Sequence, residues 1–314
     1  MLVSSPRMPH AATTRWHKVR FWAAALLVLT CVALASTDAE AQTFAPRPDP
    51  ELVRNWRPIR NWVSTHDQRE ETVPTVIQTD RPSFTAAHTL VPKGWAQLES
   101  GYQFTYNRNG SLLTNTNGAP ELNLRVGVAE WLEWRTLWAG VVGIAGHDTA
   151  FGTHRYLTSS ANLQTGFKIK VSEQAVWIPQ SALITTVFLP TGYGPTSVNT
   201  VAPQIDYIYG WDLFGPWSLT GSTGAVLPRR GNVGSNEWFQ SVVVGQEWSD
   251  QLSSYGEWYV VYEDGANQKS TAYTMDSGIL WRPLPNIQFD WRAGFGLNSA
   301  ADNFFTGVGF SARY

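Results

Sequence analysis

Histidine is the first residue type to examine for chemistry, and the sequence contains His10, His17, His66, His88, His147 and His154. A hydrolase with a Ser/His/Asn arrangement would need a histidine beside a serine on one strand surface. None of these histidines lies in the strand-rich region after residue 159, so the sequence predicts no catalytic residue and no enzyme. His147 and Asp148 could supply two metal ligands, but a solvated loop is the favoured interpretation, and we expect no metal and no cofactor.

Charged side chains are few and recur at the polar positions of alternating segments. They make up only 15% of the residues, against roughly 25% in an average soluble protein. The positions predicted to line an enclosed lumen are Glu99, Glu121, Arg125, Glu133, Arg135, Lys168, Lys170, Asp206, Asp276, Asp290 and Arg292. Acids and bases nearly balance in this set, whereas a strongly ion-selective pore has a one-sided ring of charge. Two interpretations remain open: a passage for small solutes, or a closed interior in which charges pair across strands, as Glu133 with Arg125.

The overall composition excludes several classes of protein. The net charge of −2 and the pI of about 6.3 indicate no basic surface, so we expect no nucleic-acid partner. The aromatic content of 13%, with 16 Trp, is too high for a disordered chain. Beyond residue 41 no run of 18 apolar residues occurs, so no membrane-spanning helix is predicted.

The N-terminus has the three parts of a secretory signal peptide. Basic residues between 15 and 20 precede an apolar run at 21–35, and Ala39 and Ala41 form an A-x-A cleavage site. We therefore predict a signal peptide at 1–41 and export of the chain. The one cysteine, Cys31, lies inside it, so the exported chain is expected to contain no disulfide.

Residues 42–93 differ in composition and pattern from the rest of the chain. They are rich in proline, with scattered charges and no sustained period. Prolines at this density interrupt helices and central strands. We interpret 42–93 as a periplasmic lead-in, and its entry into the lumen is left open.

From residue 94 to the C-terminus the pattern changes to a period of two. In one example, Leu122, Leu124 and Val126 alternate with polar neighbours. This alternation predicts strands with one apolar and one polar face. About twelve are expected, at 95–106, 119–128, 132–141, 159–171, 178–189, 203–212, 217–226, 237–248, 252–262, 271–282, 286–297 and 302–314.

The two strand faces indicate which solvent each one meets. The apolar faces carry many Trp and Tyr, and the polar faces carry Gln, Ser, Thr and Gly rather than abundant Lys and Glu. This combination is typical of an all-β, antiparallel outer-membrane barrel with a lipid-facing exterior and a polar lumen. Closure is required because unpaired strand edges in hydrocarbon are costly. Short turns are then expected in the periplasm, and longer loops, including 107–118 and 142–158, outside the cell.

The last strand carries a further pattern. Val308, Phe310 and Tyr314 lie on one face, and the given chain stops at an aromatic residue. This ending is similar to the terminal-strand signal that the barrel assembly machinery reads. We therefore predict that this machinery and the outer-membrane lipid are partners of the chain.

Several segments together resemble an outer-membrane barrel family named for the meta-pathway of phenol degradation and often labelled transporter. These segments are TDRPSF (79–84), VPKGWAQLESGYQFTY (91–106), PELNLRVGVAEWLEWR (120–135), FLPTG (188–192), LPNIQFDWRAGFGLN (284–298) and FFTGVGFSARY (304–314). The resemblance covers about 77–314 and leaves 42–76 unmatched. It implies a membrane barrel with a generic transport role, and no catalytic motif defines the family.

These observations lead to one expected function and two alternatives. The expected function is a passive outer-membrane channel for small solutes, including aromatic or hydrophobic ones. The first alternative is a closed barrel that serves as a structural or interaction protein. The second is an outer-membrane enzyme of the phospholipase type.

Overall fold

A computed structural model describes residues 76–197, 200–227, 236–264 and 269–314. The predicted signal peptide (1–41) and the lead-in up to residue 75 lie outside these described residues. Within them the chain forms 14 antiparallel strands. Among the same residues no helix is long and apolar enough to cross a membrane.

The strands follow one another along the chain, and the connections between them range from two residues to the segment 189–201. Their bounds are β1 Ala96–Asn109, β2 Leu112–Ala129, β3 Leu132–Trp138, β4 Val141–Asp148, β5 Thr153–Ser160, β6 Leu163–Ser172, β7 Gln180–Phe188, β8 Ala202–Asp212, β9 Trp217–Val226, β10 Asn236–Glu247, β11 Leu252–Asp264, β12 Lys269–Leu284, β13 Ile287–Gly296 and β14 Phe304–Arg313.

Twelve of these strands close into a ring, which confirms the predicted fold. Strand β1 pairs with β2 on one side and with β14 on the other, and β3 pairs with β6. From β6 to β14 each strand pairs with the next one in the chain. Strand β4 continues β3 along β2 in the same register, and β5 pairs with β4 in the register in which β6 pairs with β3. Strands β4 and β5 therefore prolong β3 and β6 as a hairpin beyond one end of the ring.

Two segments predicted as loops are strands instead. Residues 107–118 belong mostly to β1 and β2, which are joined at a tight turn where Gly110 has a φ of +61°. Residues 142–158 form most of the β4–β5 hairpin. Both hairpins extend beyond the ring, where neither face must meet lipid, so they lack the apolar alternation on which the prediction relied. Tyr156 and Leu157, neighbours in β5, are both exposed.

The two faces of the ring differ sharply in exposure. Large apolar side chains on the outer face, such as Val128, Trp291 and Val308, are 47–51% exposed. On the inner face, Glu99 and Arg125 are fully buried although both are charged. An apolar exterior around a polar interior is the arrangement that a bilayer requires of a barrel.

The strand order predicts which turns reach the cell surface. The chain terminus Tyr314 pairs with Ala96 at the same end of the ring as the β10–β11 turn, and the β4–β5 turn lies at the other end. In Ala150→Cys and Asp250→Cys variants, we expect a membrane-impermeant maleimide to label only the first on intact cells. Mass spectrometry of the labelled chain checks this, since Cys31 falls within the predicted signal peptide. Labelling of Asp250→Cys instead of Ala150→Cys would show that the barrel has the opposite orientation in the membrane.

The last strand also completes the ring. The backbone of Tyr314 exchanges two hydrogen bonds with Ala96, and Phe310 lies opposite Ser100 on β1. Deletion of residues 310–314 removes these pairings, so we expect the chain to accumulate unassembled in the periplasm. Electrophoresis of unheated membrane samples measures this through the shifted band of a folded barrel. Full recovery of that band in the outer membrane would refute the prediction.

Candidate functional site

The residues just before β1 run through the inside of the ring. Ile77 donates a backbone hydrogen bond to Pro285 in the β12–β13 turn at 2.7 Å, and Gly94 donates one to Gly127 near the end of β2 at 2.8 Å. Between these points the chain contacts inner-face residues of many strands. We call residues 77–93 the interior segment.

Asp80 of the interior segment lies at the centre of an ion-pair cluster. Its carboxylate is 3.2 Å from the Arg125 guanidinium, 2.7 Å from that of Arg135 and 3.3 Å from the Lys168 ammonium. Burial alone would raise the pKa of Asp80, but the charges of Arg125, Lys168 and Arg135 lower it below its ordinary value. Asp80 is therefore a carboxylate at neutral pH and links strands β2, β3 and β6.

Arg125 extends the cluster to two glutamates. Its guanidinium lies 3.0 Å from Glu99 and 2.8 Å from Glu133, so the pairing expected between Glu133 and Arg125 is present. Glu133 also accepts the backbone N–H of Val91 at 2.8 Å, and Glu99 accepts that of Asp80 at 3.1 Å. Both glutamates thus bind the interior segment as well as Arg125.

A second group of charges surrounds Arg81. This guanidinium forms ion pairs with Glu121 and, at 3.5 Å, with Asp290. Arg292 donates a hydrogen bond to the carbonyl of Pro82 at 2.6 Å and another to the amide oxygen of Gln103. The interior segment is therefore also bound to β2 and β13.

The middle of the segment is held on the opposite wall by Glu257. This carboxylate accepts the backbone N–H of Phe84 at 2.7 Å and both the N–H and the hydroxyl of Thr85 at 2.8 and 2.6 Å. The Phe84 ring stacks on Tyr259 with 4.3 Å between centroids and meets Phe239 edge-on at 5.6 Å. Three aromatic rings therefore lie together inside the ring of strands.

His88 occupies a tight position near the other end of the segment. A Cβ built on Gly210 would lie only 2.6 Å from its Nδ1, so this close approach depends on glycine. Burial lowers the pKa of His88, and the charge of Lys168 lowers it further. Because its ordinary pKa is 6.5, His88 is neutral at pH 7.

Three residues of the predicted set lie outside these groups. Lys170 is 29% exposed and pairs with Glu173 at 2.6 Å, near the β6–β7 connection rather than in the cluster. Asp206 and Asp276 are buried, and oxygens of both lack a hydrogen-bond partner among the described residues. That the whole predicted set lines a conducting path stays a prediction.

A cavity of about 290 Å³ lies against the interior segment. Asp80, Arg81 and Phe84 line it on the segment side. The residues that line it from the strands include Arg135, Leu137, Gln164, Ile184, Thr186, Gln204, Asp206 and Arg292. Both polar and apolar side chains therefore surround this space.

Two histidines meet outside the ring. His147 and His154 are cross-strand partners in the β4–β5 hairpin, and their rings stack with 4.1 Å between centroids. No group of three or more potential His, Cys, Asp or Glu metal ligands occurs in the part of the chain that the structure describes.

A family model matches the chain over the region that forms this structure. The model is described as "Putative MetA-pathway of phenol degradation", and it matches residues 79–314. The chain belongs to this family. The resemblance expected from the sequence is thus confirmed, and the match starts inside the interior segment.

Solved structures show what this family member is similar to in fold. An outer-membrane channel from Pseudomonas putida F1 has a TM-score of 0.55 and 12% identity, over 72% of this chain and 98% of that one. The NanC porin has a TM-score of 0.44 and 8% identity, over 69% of this chain and 98% of the porin. The first likeness supports the barrel fold, and the second is too weak to add to it. No curated protein matches the chain in sequence.

The fold also determines where this member of the family resides. In hydrocarbon no water is present to bind backbone N–H and C=O groups, so each must pair within the protein. A closed antiparallel ring with an apolar exterior meets this requirement because it has no unpaired strand edge. Trp131, Trp238 and Trp281, among the exposed tryptophans, supply amphipathic rings suited to the membrane interfaces. The protein is therefore an outer-membrane protein, as predicted.

Sequence reasoning missed the residues that organise the interior of this family member. Asp80 and Arg81 bind the charges that the strands contribute, yet they lie in a proline-rich stretch with no period. The available signal was the segment TDRPSF at 79–84, in which an adjacent acid and base precede the first strand. Their partners could not be identified because register across the barrel is not readable from the sequence.

Proposed function

We propose that this protein is a passive outer-membrane channel for small solutes, including aromatic or hydrophobic ones. The observation that carries the proposal is the cavity of about 290 Å³ inside the closed ring, lined by both charged and apolar side chains. This volume is near the lower end of the range for small-molecule pockets, about 300–1,000 Å³, so it suits small solutes. Similarity in fold to the outer-membrane channel from Pseudomonas putida F1 supports the proposal.

The side chains around the cavity support the inclusion of aromatic solutes. Phe84 is 37% exposed although it belongs to the interior segment, and it lies beside Tyr259 and Phe239. Aromatic rings offer a stacking surface to a planar solute. Arg135 and Asp206 provide polar groups on another side of the same space.

The interior segment determines how narrow the path is. It crosses from the β12–β13 turn to the end of β2 and is bound by charged residues along its length. Solutes in a passive channel must diffuse past it or wait for it to shift. We therefore expect a narrow channel whose permeability depends on the bonds of this segment.

A closed structural barrel is the second candidate, and the Asp80 cluster is the observation that favours it. Buried ion pairs in which the charged group has several partners hold the interior segment rigidly inside the lumen. In that case the cavity would be a pocket with no exit to the periplasm. The two candidates differ in permeation, not in fold.

Liposome swelling tests the proposed channel directly. Purified full-length protein is reconstituted in liposomes, and swelling is followed in isosmotic glycine, arabinose and a disaccharide. We expect swelling that is fastest for glycine and slows with solute size, because the segment leaves a narrow path. Rates equal to those of liposomes holding heat-denatured protein would favour the closed barrel.

A further inference from the structure

The β4–β5 hairpin contains a histidine pair that the channel function does not use. We propose that His147 and His154 form a binding site for a divalent transition-metal ion of the zinc, copper or nickel type. The sequence pairs His147 only with its neighbour Asp148. The structure instead places His154 directly opposite His147 on the adjacent strand.

The geometry of the pair suits one shared metal ion. Directly opposed residues of an antiparallel pair have Cβ atoms about 4.5–5.5 Å apart. Imidazole nitrogens bind zinc at about 2.0–2.1 Å, so two of them on one ion are roughly 3.3 Å apart in a tetrahedral site. The two ring centroids are 4.1 Å apart, so the side chains are close enough to share one ion. An imidazole nitrogen binds a metal in the plane of its ring, so both side chains must rotate out of the observed stack to coordinate it.

The surroundings leave the imidazole nitrogens available. His147 faces Leu113 of β2 on its other side, so no competing charged partner lies opposite it there. His154 belongs to β5, which is exposed over most of its length. The neighbouring Asp148 bonds the backbone N–H of Ala150 at 2.9 Å, which fixes the turn that joins the two strands.

The ligand set determines which ions the site takes. Imidazole prefers zinc, copper and nickel, whereas magnesium and calcium require oxygen ligands. Two protein ligands leave the remaining coordination positions to water, so the site is expected to bind more weakly than a four-ligand structural site. A bound ion would connect β4 to β5 at the end of the barrel opposite the chain terminus.

Copper titration of the purified full-length protein tests the site. In the wild type we expect an electron paramagnetic resonance spectrum with hyperfine coupling to two imidazole nitrogens. Variants His147→Gln and His154→Gln should each lose one nitrogen and bind Cu²⁺ about tenfold or more weakly, as the loss of one ligand implies. His88→Gln, which alters a buried histidine of the interior segment, is the matched control and should retain the wild-type spectrum.

Two outcomes would overturn the inference. One is a wild-type spectrum with oxygen ligands only, and the other is unchanged copper binding in both hairpin variants. His147 and His154 lie near the tip of the hairpin, beyond the end of the closed ring, so both variants should show the folded band on unheated gels and remain interpretable. Zinc calorimetry on the same samples gives a second readout of the lost ligand.

Discussion

Replacing Asp80 with asparagine is expected to destabilise the barrel and to increase its conductance. The change removes the negative charge that Arg125, Arg135 and Lys168 share, each at 3.3 Å or less. Breaking a buried ion pair by removing one partner costs about 3–5 kcal/mol, because the remaining charge stays desolvated. The interior segment loses the same bonds, so it should leave its position more often and widen the path.

The measurements for this variant are the temperature at which the folded band disappears on gels and the single-channel conductance. Glu173→Gln is the matched control, since it removes an acid from the Lys170 ion pair whose glutamate is 70% exposed. Exposed pairs contribute about 0–1 kcal/mol, so the control should change little. If Asp80→Asn and Glu173→Gln behave alike, the Asp80 cluster does not hold the segment.

The pH dependence of this effect has a definite sign. The pKa of Asp80 lies below its ordinary value of 3.8, so its ion pairs are fully formed at neutral pH. A carboxylate with a lowered pKa in the folded state contributes stability that is present above its unfolded-state pKa and is lost as the pH falls from there through the folded-state pKa. Because the ordinary pKa is 3.8, the difference between wild type and Asp80→Asn should persist between pH 5 and 8 and shrink below about pH 4.

Removing Arg125 and Arg135 together is the second change with a large expected effect. In an open channel, fixed charges beside a narrow water column attract ions of opposite sign. Arg125→Gln with Arg135→Gln should therefore shift the reversal potential under a salt gradient toward cations. The removal also leaves Glu99 and Glu133 without their buried partner, so thermal stability should fall as well.

The same double variant separates the channel from the closed barrel. A changed reversal potential supports passage through the interior. Lost stability with no current in either protein supports the structural alternative. Arg282→Gln, whose partner Glu247 is 60% exposed, provides a control for removing an arginine near one end of the ring.

The sequence was sufficient to predict the ring but not its contents. Period-two alternation in segments such as 122–128 and 287–297 predicts strands with one apolar and one polar face. The polar faces carry few Lys and Glu, which indicates that they line a lumen and that the apolar faces meet lipid. The β4–β5 hairpin escaped prediction because strands outside the membrane need no apolar face. The interior segment escaped because residues 77–93 pair through side chains, which leave no periodic pattern in the sequence.

The candidate site shows the same limit. Burial of Arg125, Arg135 and Lys168 follows from their polar face, but their common partner Asp80 is 45–88 residues away in the chain. Residues so far apart in the sequence are brought into contact only by the strand register of the whole barrel, which the sequence does not reveal. The histidine pair illustrates this too, since His147 and His154 became partners only when 142–158 proved to be a hairpin.

Single-channel recording of the wild-type protein in a planar lipid bilayer tests the central claim most directly. The purified full-length barrel, shown to be folded by its shift on unheated gels, is added to one side under a symmetrical salt solution. A narrow passive channel predicts discrete current steps of one size that increase with salt concentration and need no energy source. A bilayer that stays silent with folded barrel inserted in it would contradict the account.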